Sequence, residues 1–508
     1  MTESNTDTGP PPGGALRALT LLAGATGAAV VALDGTVLVV VQPAMRRELG
    51  GTLAQLQWAG TGYLIAVASL LVFAGRLGDR YGHHRLFALG MLGFGAASAG
   101  IGAADGIGWV IGLRVVQGVF GALLQPATLG MLRAVFPPER LGMAIAVRTS
   151  VIGLAAAAGP VLGGVLAVGP GWRAVFFLNV PVAVAVGLPA LLAARRAPGR
   201  TARGAGLDLP GACLLGAALL CLVHTLVAVP DGGLTAVNGL VAAVGVVAAA
   251  AFVRHERRYA AAPLVPGGLL RTPGITPALA LLLVSSAALH GTLFVGTYFL
   301  QDVVGLDPFA CAIRTLPLAV TMVLGAPLCA VLLRRYGPRR TAAAGALVLA
   351  AGVALLSRAG AEVGAGTVGA AFFALGGGFV AVMVTATSVV VRQAPAGQAG
   401  VAGGLKQTAV NVGPALGVAA ATTLMSVRTA AGQPPDTAFL AAMPLALGCL
   451  ALVAATGLLS AGRLPRSGSG SDSGPGSDSG PGSDSGSDSR FRTKSYRRVD
   501  SVSRHAHS

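Results

Sequence analysis

At 508 residues, 54% hydrophobic and 11% charged, with a mean hydropathy of +0.73, the chain has less than half the ~25% charge of a soluble globular domain. That composition calls for lipid as solvent. The net charge of +17 is nearly all arginine, since only Lys406 and Lys494 are lysines. So basic a chain ordinarily points to nucleic acid, but most of these arginines sit in short loops between apolar runs, so no nucleic-acid partner is expected. Cys213, Cys221, Cys311, Cys329 and Cys449 lie in or near apolar runs without metal spacing. They read as small core residues, and no metal or other cofactor is expected. The N-terminal MTESNTDTGPPPGG is polar and acidic and does not read as a cleavable signal.

A helix needs about 20 apolar residues to cross the bilayer. Fourteen such segments follow in chain order: 16–42, 53–74, 85–104, 108–132, 141–168, 173–194, 208–229, 234–254, 273–300, 311–333, 341–358, 366–391, 400–427 and 437–462. One alternate set of connecting loops is rich in arginine, including Arg76, Arg80, Arg85, Arg133, Arg140, Arg195, Arg196, Arg334, Arg335, Arg339 and Arg340. The opposite set is poor, with Arg46, Arg47, Arg173, Arg314, Arg358 and Arg428. The positive-inside rule makes the rich set cytoplasmic. Both termini are then cytoplasmic, and the chain is a multi-pass protein of the inner (plasma) membrane.

Span 1 carries Asp34 and span 4 carries Arg114, each a full charge in an otherwise apolar stretch. Such charges are costly at membrane depth and ordinarily face a partner or a pathway. Burial favours a neutral carboxyl and a nearby guanidinium favours the charged form. A carboxylate between those influences can load a proton in one state and release it in another. Arginine stays charged throughout, so Arg114 would move relative to Asp34 or, with Gln117, orient water.

An internal repeat is also visible. GRLGDRYGHHR after span 2 is echoed by AVLLRRYGPRR after span 10, matching Tyr81-Gly82 to Tyr336-Gly337. LGMAIAVRTS, opening span 5, is echoed by AGVAGGLKQT, opening span 13, matching Gly142 to Gly400 and Arg148 to Lys406. Repeated halves around a midplane site mark many secondary transporters. The pattern divides the chain into an N-terminal tail (1–15), a six-helix half (16–194), linkers with two inserted helices (195–272), a second six-helix half (273–462) and a tail (463–508). Arg148 and Lys406 stand about 9 Å along their helices from the matched glycines. Either they face a central cavity and favour an anionic or acceptor-rich substrate, or they snorkel to the cytoplasmic surface as anchors. Shifting Asp34 by the repeat offset lands beside His290, which is either a second titrating group or locally satisfied. Gln407 and Asn411 are further candidate cavity groups. The Gly/Ser/Asp/Pro tail cannot bury a core and is expected to be disordered. Its end, RFRTKSYRR, is expected to be solvated or weakly lipid-bound.

Four motifs carry a family resemblance. Gly75-Arg76-Leu77-Gly78-Asp79-Arg80-Tyr81-Gly82 resembles the cytoplasmic loop motif of the major facilitator superfamily. The usual basic pair after Gly82 is His83-His84 here. Leu33-Asp34-Gly35-Thr36 with Pro43 resembles the first-helix motif of the fourteen-helix drug:proton antiporters, with Val39 where an Asn is usual. Arg114-Val115-Val116-Gln117-Gly118 resembles the fourth-helix motif linked to proton transfer, and Gly159-Pro160-Val161-Leu162-Gly163-Gly164 the fifth-helix antiporter signature. Gln57-Trp58, Tyr63, Trp172 and Asn179-Val180-Pro181 add weaker support.

The resemblance implies an all-helical integral membrane protein with the major facilitator fold, two six-helix halves plus two inserted helices. It implies proton coupling through Asp34, Arg114 and Gln117. It implies a conformational latch around Gly75, Asp79, Arg80 and Gly82, with Asp79 held against the start of span 13. It further implies a rocking, leak-suppressing interface at Gly159, Pro160, Gly163 and Gly164. The expected activity is export of a small organic compound, an antibiotic or other drug, by a monomer exchanging it for protons in the lipid bilayer. The proton-motive force would drive it, in line with the lack of a GxxxxGK[ST] loop. A symporter or facilitator on the same fold, or a non-transporting sensor, is the alternative. A membrane enzyme is set aside because no His-x-x-x-His, Cys-x-x-Cys or Gly-x-Ser-x-Gly constellation occurs.

Overall fold

The computed structural model describes residues 14–51, 53–196, 208–232, 235–260, 263–306, 308–360, 363–395, 397–428 and 435–465. The expectations for residues 1–13 and for the tail beyond 465, including RFRTKSYRR, lie outside the described residues. Everything described is helix or short connection. That is what lipid demands, because a spanning segment must satisfy its own backbone polar groups.

Eight helices come first: α1 Gly14–Leu49, α2 Leu53–Tyr81, α3 His83–Gly102, α4 Ile107–Val135, α5 Pro138–Val168, α6 Arg173–Arg196, α7 Leu209–Gly232 and α8 Ala236–Arg258. A single-turn α9, Gly267–Arg271, leads into α10, Ile275–Tyr298, which loosens into a π-helical turn at Phe299–Val303. Then follow α11 Pro308–Leu356, α12 Ala365–Gln393, α13 Ala399–Arg428 and α14 Pro435–Gly462. Thirteen helices among the described residues are long and apolar enough to cross a membrane.

Spans 10 and 11 are two helices that follow one another directly within the 49-residue stretch α11. That length is about 74 Å of helix, more than twice the hydrocarbon core. The two crossings part at one residue, Gly337, whose φ of 78° interrupts the helix. Its repeat partner Gly82 has φ 94° and separates α2 from α3 in the same way. Both turns need a backbone conformation that only glycine adopts without strain, so the break takes one residue where a loop was expected.

Helices α1–α6 pack among themselves, as do α10–α14, while α7 and α8 pair with each other and α7 leans on α2 and α13. One core cluster joins Tyr63, Phe87, Phe94, Leu124 and Met131 across α2, α3 and α4. Another joins Phe299, Leu349, Phe372, Leu375 and Met443 across the π-helical turn, α11, α12 and α14. The α7–α8 hairpin is pinned at its base. The Asp208 carboxylate caps α7 by accepting from the Gly211 N–H (2.9 Å) and meets His255 Nε2 of α8 at 2.8 Å. Burial opposes its ionisation, but the Gly211 N–H and then His255 outweigh that and hold it below the usual carboxylate range. Glu256 accepts from the N–H groups of Leu264 (2.8 Å) and Val265 (3.1 Å), tying α8 to the segment ahead of α9.

Candidate transport site

Asp34 on α1 and Arg114 on α4 meet in the interior. Arg114 Nη1 donates to Asp34 Oδ2 at 2.5 Å, and both side chains are about 1% exposed. The same nitrogen donates to Gln117 Oε1 at 2.6 Å, and Gln117 Nε2 returns a bond to Asp34 Oδ1 at 3.0 Å. The three side chains therefore close a ring. Gln117 reaches it because residues three apart share a helix face. Arg114 also donates through Nε to the Ala59 carbonyl of α2 (3.2 Å), and its guanidinium lies 4.3 Å from the centre of the Tyr63 ring. Hydrogen bonds to a buried charge and an ion pair in low dielectric are far stronger than their surface counterparts. The cluster thus fastens α1 to α4 for as long as Asp34 is ionised.

The network continues to residues that sequence reasoning missed or left as weak support. Gln117 Nε2 also donates to Ser98 Oγ of α3 at 2.8 Å, and Asn179 Nδ2 of α6 donates to the same oxygen at 3.4 Å. Asn179 and Asp34 further line a cavity of about 10 Å³ with Leu162 and Leu178, near the size of one water. Only a serine in the small-residue run GFGAASAGIG hinted at Ser98. Its position opposite Gln117 is a matter of helix packing.

At the end of the bundle that holds the α2–α3 turn, Asp79 accepts from the backbone N–H groups of Gly400 (2.7 Å) and Val401 (3.0 Å). These are free N–H groups in the first turn of α13, whose partial positive charge favours a carboxylate. His83 Nε2 approaches Asp79 Oδ1 at 3.4 Å, and Arg80 lies 5.3 Å from the centre of the Tyr81 ring. The two helices can touch because Gly75 and Gly400 face each other; a Cβ on either would overlap the other's backbone. One turn further in, Gly404 lies against Leu71, and Gly403 lies against Pro126 and Leu129. Arg133 on α4 donates to the Ala394 carbonyl after α12. The two groups of helices are thus sealed together at the Asp79 end.

On α5, a Cβ at Gly159 would overlap Thr36 of α1, and Gly163 faces Val37 and Val40. Residues four apart share one face of a helix, so these two glycines make the α1–α5 contact. Gly164 does not: among the described residues nothing lies within 4 Å of a Cβ placed there, because it is turned about 100° from Gly163. This corrects the expectation that both would serve helix contact. Pro160 lies within α5, and its side chain is outside the described ones.

Arg148 and Lys406 are both about 2% exposed, so neither snorkels to a surface. Lys406 Nζ donates to Gln407 Oε1 (3.2 Å), and Gln407 Nε2 donates to Asn411 Oδ1 (3.0 Å). His290 stands apart from this chain of bonds among the described residues. Its Nδ1 lies 2.9 Å from the Ser286 carbonyl of its own helix, and its ring meets Phe379 edge-on.

Residues 24–418 match the Major Facilitator Superfamily. The chain belongs to this superfamily. Its members are membrane transporters, not enzymes, and the multi-pass helical fold described above is theirs. Over 417 residues the chain is 42% identical to the tetracenomycin C resistance and export protein of Streptomyces glaucescens, covering 80% of this chain and 76% of that one. Over 410 residues it is 35% identical to the puromycin resistance protein pur8 of Streptomyces alboniger, covering 79% of this chain and 80% of that one. Among solved structures, the human organic anion transporter MFSD10 superposes with a TM-score of 0.63 at 14% identity, covering 89% of this chain and 100% of that one. That likeness establishes the common superfamily fold.

Proposed function

We propose that the chain is a proton-coupled antiporter of the cell membrane that exports a small organic compound, an antibiotic or similar drug, by alternating access. The observation that carries the reading is the closed ring of Asp34, Arg114 and Gln117, an ionisable carboxylate buried against a permanent cation in a transporter fold. Its relatives at 42% and 35% identity, named for tetracenomycin C export and puromycin resistance, supply the cargo class.

The arginine-rich loops place the Asp79 end in the cytoplasm, so the sealed state faces outward. A proton from outside reaches Asp34 Oδ2 and neutralises it. The ion pair with Arg114 is lost, and α1 is freed from α4. The six-helix halves 16–194 and 273–462 then rock against each other where α5 meets α11 and α12, while the α1–α5 contact at Gly159 and Gly163 holds the first half together. The cytoplasmic seal opens as Asp79 leaves the N-terminus of α13. The proton leaves to the cytoplasm, Arg114 recaptures the carboxylate, and cargo bound from inside is carried outward. Ser98 and Asn179 hold Gln117 and the water-sized cavity beside Asp34 in register for that transfer. A single chain contains every part of the cycle, so a monomer suffices.

The test uses inside-out vesicles acidified by respiration, with tetracenomycin C, puromycin and other antibiotics added in turn. A transported compound should release protons from wild-type vesicles and not from Asp34→Asn vesicles, while Asp34→Asn still exchanges labelled compound without a gradient. Equal proton release by both, for a compound the protein moves, would show that Asp34 is not the carrier.

A further inference from the structure

Two buried cations have no role in the proton cycle. Arg148 lies on α5 and Lys406 on α13, at matching positions of the sequence repeat. Both are almost fully buried, and they lie within electrostatic reach of each other. No carboxylate of the described residues pairs with either one. The Asp34 carboxylate is bound to Arg114, and the Asp79 carboxylate caps α13. Lys406 has only the neutral Gln407 oxygen, and Arg148 Nε has no hydrogen-bond partner at all. Two like charges buried without a counter-charge oppose folding of the empty protein. Intramembrane cations of this kind ordinarily mark a substrate path.

Their position agrees. Ala144 and Ile145 of α5 pack with Leu129, Leu132 and Val391 in the seal at the Asp79 end, and Arg148 follows one turn further in. Gly403 of α13 touches Pro126 and Leu129 of that seal, and Lys406 follows it by about one turn. Both cations therefore stand just inside the closed end, one from each half. The neighbouring α12 adds acceptors and donors. Ser388 Oγ lies at the level of Gly142 of α5, and Thr385 stands one turn further toward the middle. Neither hydroxyl has a partner.

We propose that Arg148 and Lys406 form a two-cation subsite that binds the ionised acid group of the cargo, so that the exported compound is an organic anion. Thr385, Ser388 and the Gln407–Asn411 pair complete its polar lining. A carboxylate or phenolate there accepts from the Arg148 guanidinium and the Lys406 ammonium at once, supplying the counter-charge that the empty protein lacks. One cation comes from each half of the repeat. The proposal rests on the exporter reading above and names its cargo class.

The test is equilibrium binding to the purified full-length protein in lipid nanodiscs, without any gradient. The probes are matched pairs of aromatic carboxylates and their neutral carboxamides on naphthalene and anthracene scaffolds. The acid of each pair should bind about tenfold tighter than its amide, the scale of a charged hydrogen bond. Arg148→Gln and Lys406→Gln should each remove most of that preference. Arg148→Lys and Lys406→Arg should keep it, and they guard against a loss caused by misfolding. Equal binding of acid and amide, a preference that survives both Gln substitutions, or no binding of any acid would each overturn the proposal. Binding in Asp34→Asn separates the two readings. If drug-linked proton release is absent in wild type while the acid preference stands, the antiport reading fails alone.

Discussion

Asp34, Arg114 and Gln117 make one cooperative unit, because each satisfies the other two in a place where water cannot. Removing one member should therefore cost more than removing the pair. Arg114→Met leaves a buried carboxylate with only Gln117, a loss of about 3–5 kcal/mol if Asp34 stays ionised. The double change Asp34→Asn with Arg114→Met removes both charges and should recover most of it. Thermal melting of wild type, Asp34→Asn, Arg114→Met and the double variant in one detergent decides the matter: a double variant no more stable than Arg114→Met would mean that the pair is not coupled. The two charges were legible in the sequence because charged residues stand out in apolar spans. That Ser98 would meet Gln117, and Asn179 would meet Ser98, was not legible, since a serine or asparagine in a span gives no sign of what it faces.

At the scale of elements, close helix contact governs the closed end. Gly75 and Gly400 let α2 and α13 approach backbone to backbone, which brings the first-turn N–H groups of α13 onto Asp79. In Gly400→Ala the added methyl overlaps the Gly75 carbonyl and must push the helices apart, with strain of about 1–3 kcal/mol. The closed end should then leak. A cysteine placed at Leu129, buried in that seal, should react several times faster with an impermeant thiol reagent above the native-cysteine background, and transport should fall. Unchanged labelling together with full transport would remove the glycine contact from the mechanism. The loop motif was legible as a motif, and its echo at Tyr336-Gly337 predicted a second turn. That Gly337 alone breaks α11 was not legible, because a polar run as short as RRYGPRR reads equally as a loop or as two helix ends meeting at one residue.

For the whole molecule, sidedness is what converts a sealed end into a direction of transport. The positive-inside rule, applied to the loop arginines, supports the proposal that α2–α3, α4–α5 and both termini are cytoplasmic. Green fluorescent protein fused after Ser508 should then fluoresce, and alkaline phosphatase inserted between α3 and α4 should be active. The reverse pair of results would turn the outward-facing state into an inward-facing one and, with it, reverse the direction of export.

The sequence by itself determined the solvent, the fold family and the sites of unusual charge. Hydropathy over about 20 residues is a local property, the repeat is a comparison of the chain with itself, and an acid or arginine in a span is costly wherever it points. The tertiary structure alone decided which of those residues meet. It joined Asp34 to Arg114 across 80 positions and Asp79 to Gly400 across 321. It buried Arg148 and Lys406 where two outcomes had been open, set His290 against its own helix, and turned Gly164 away from the contact that Gly159 and Gly163 make. Those outcomes depend on the rotation and spacing of packed helices, and a few degrees of helix rotation, invisible to any local pattern, choose between a partner and empty space.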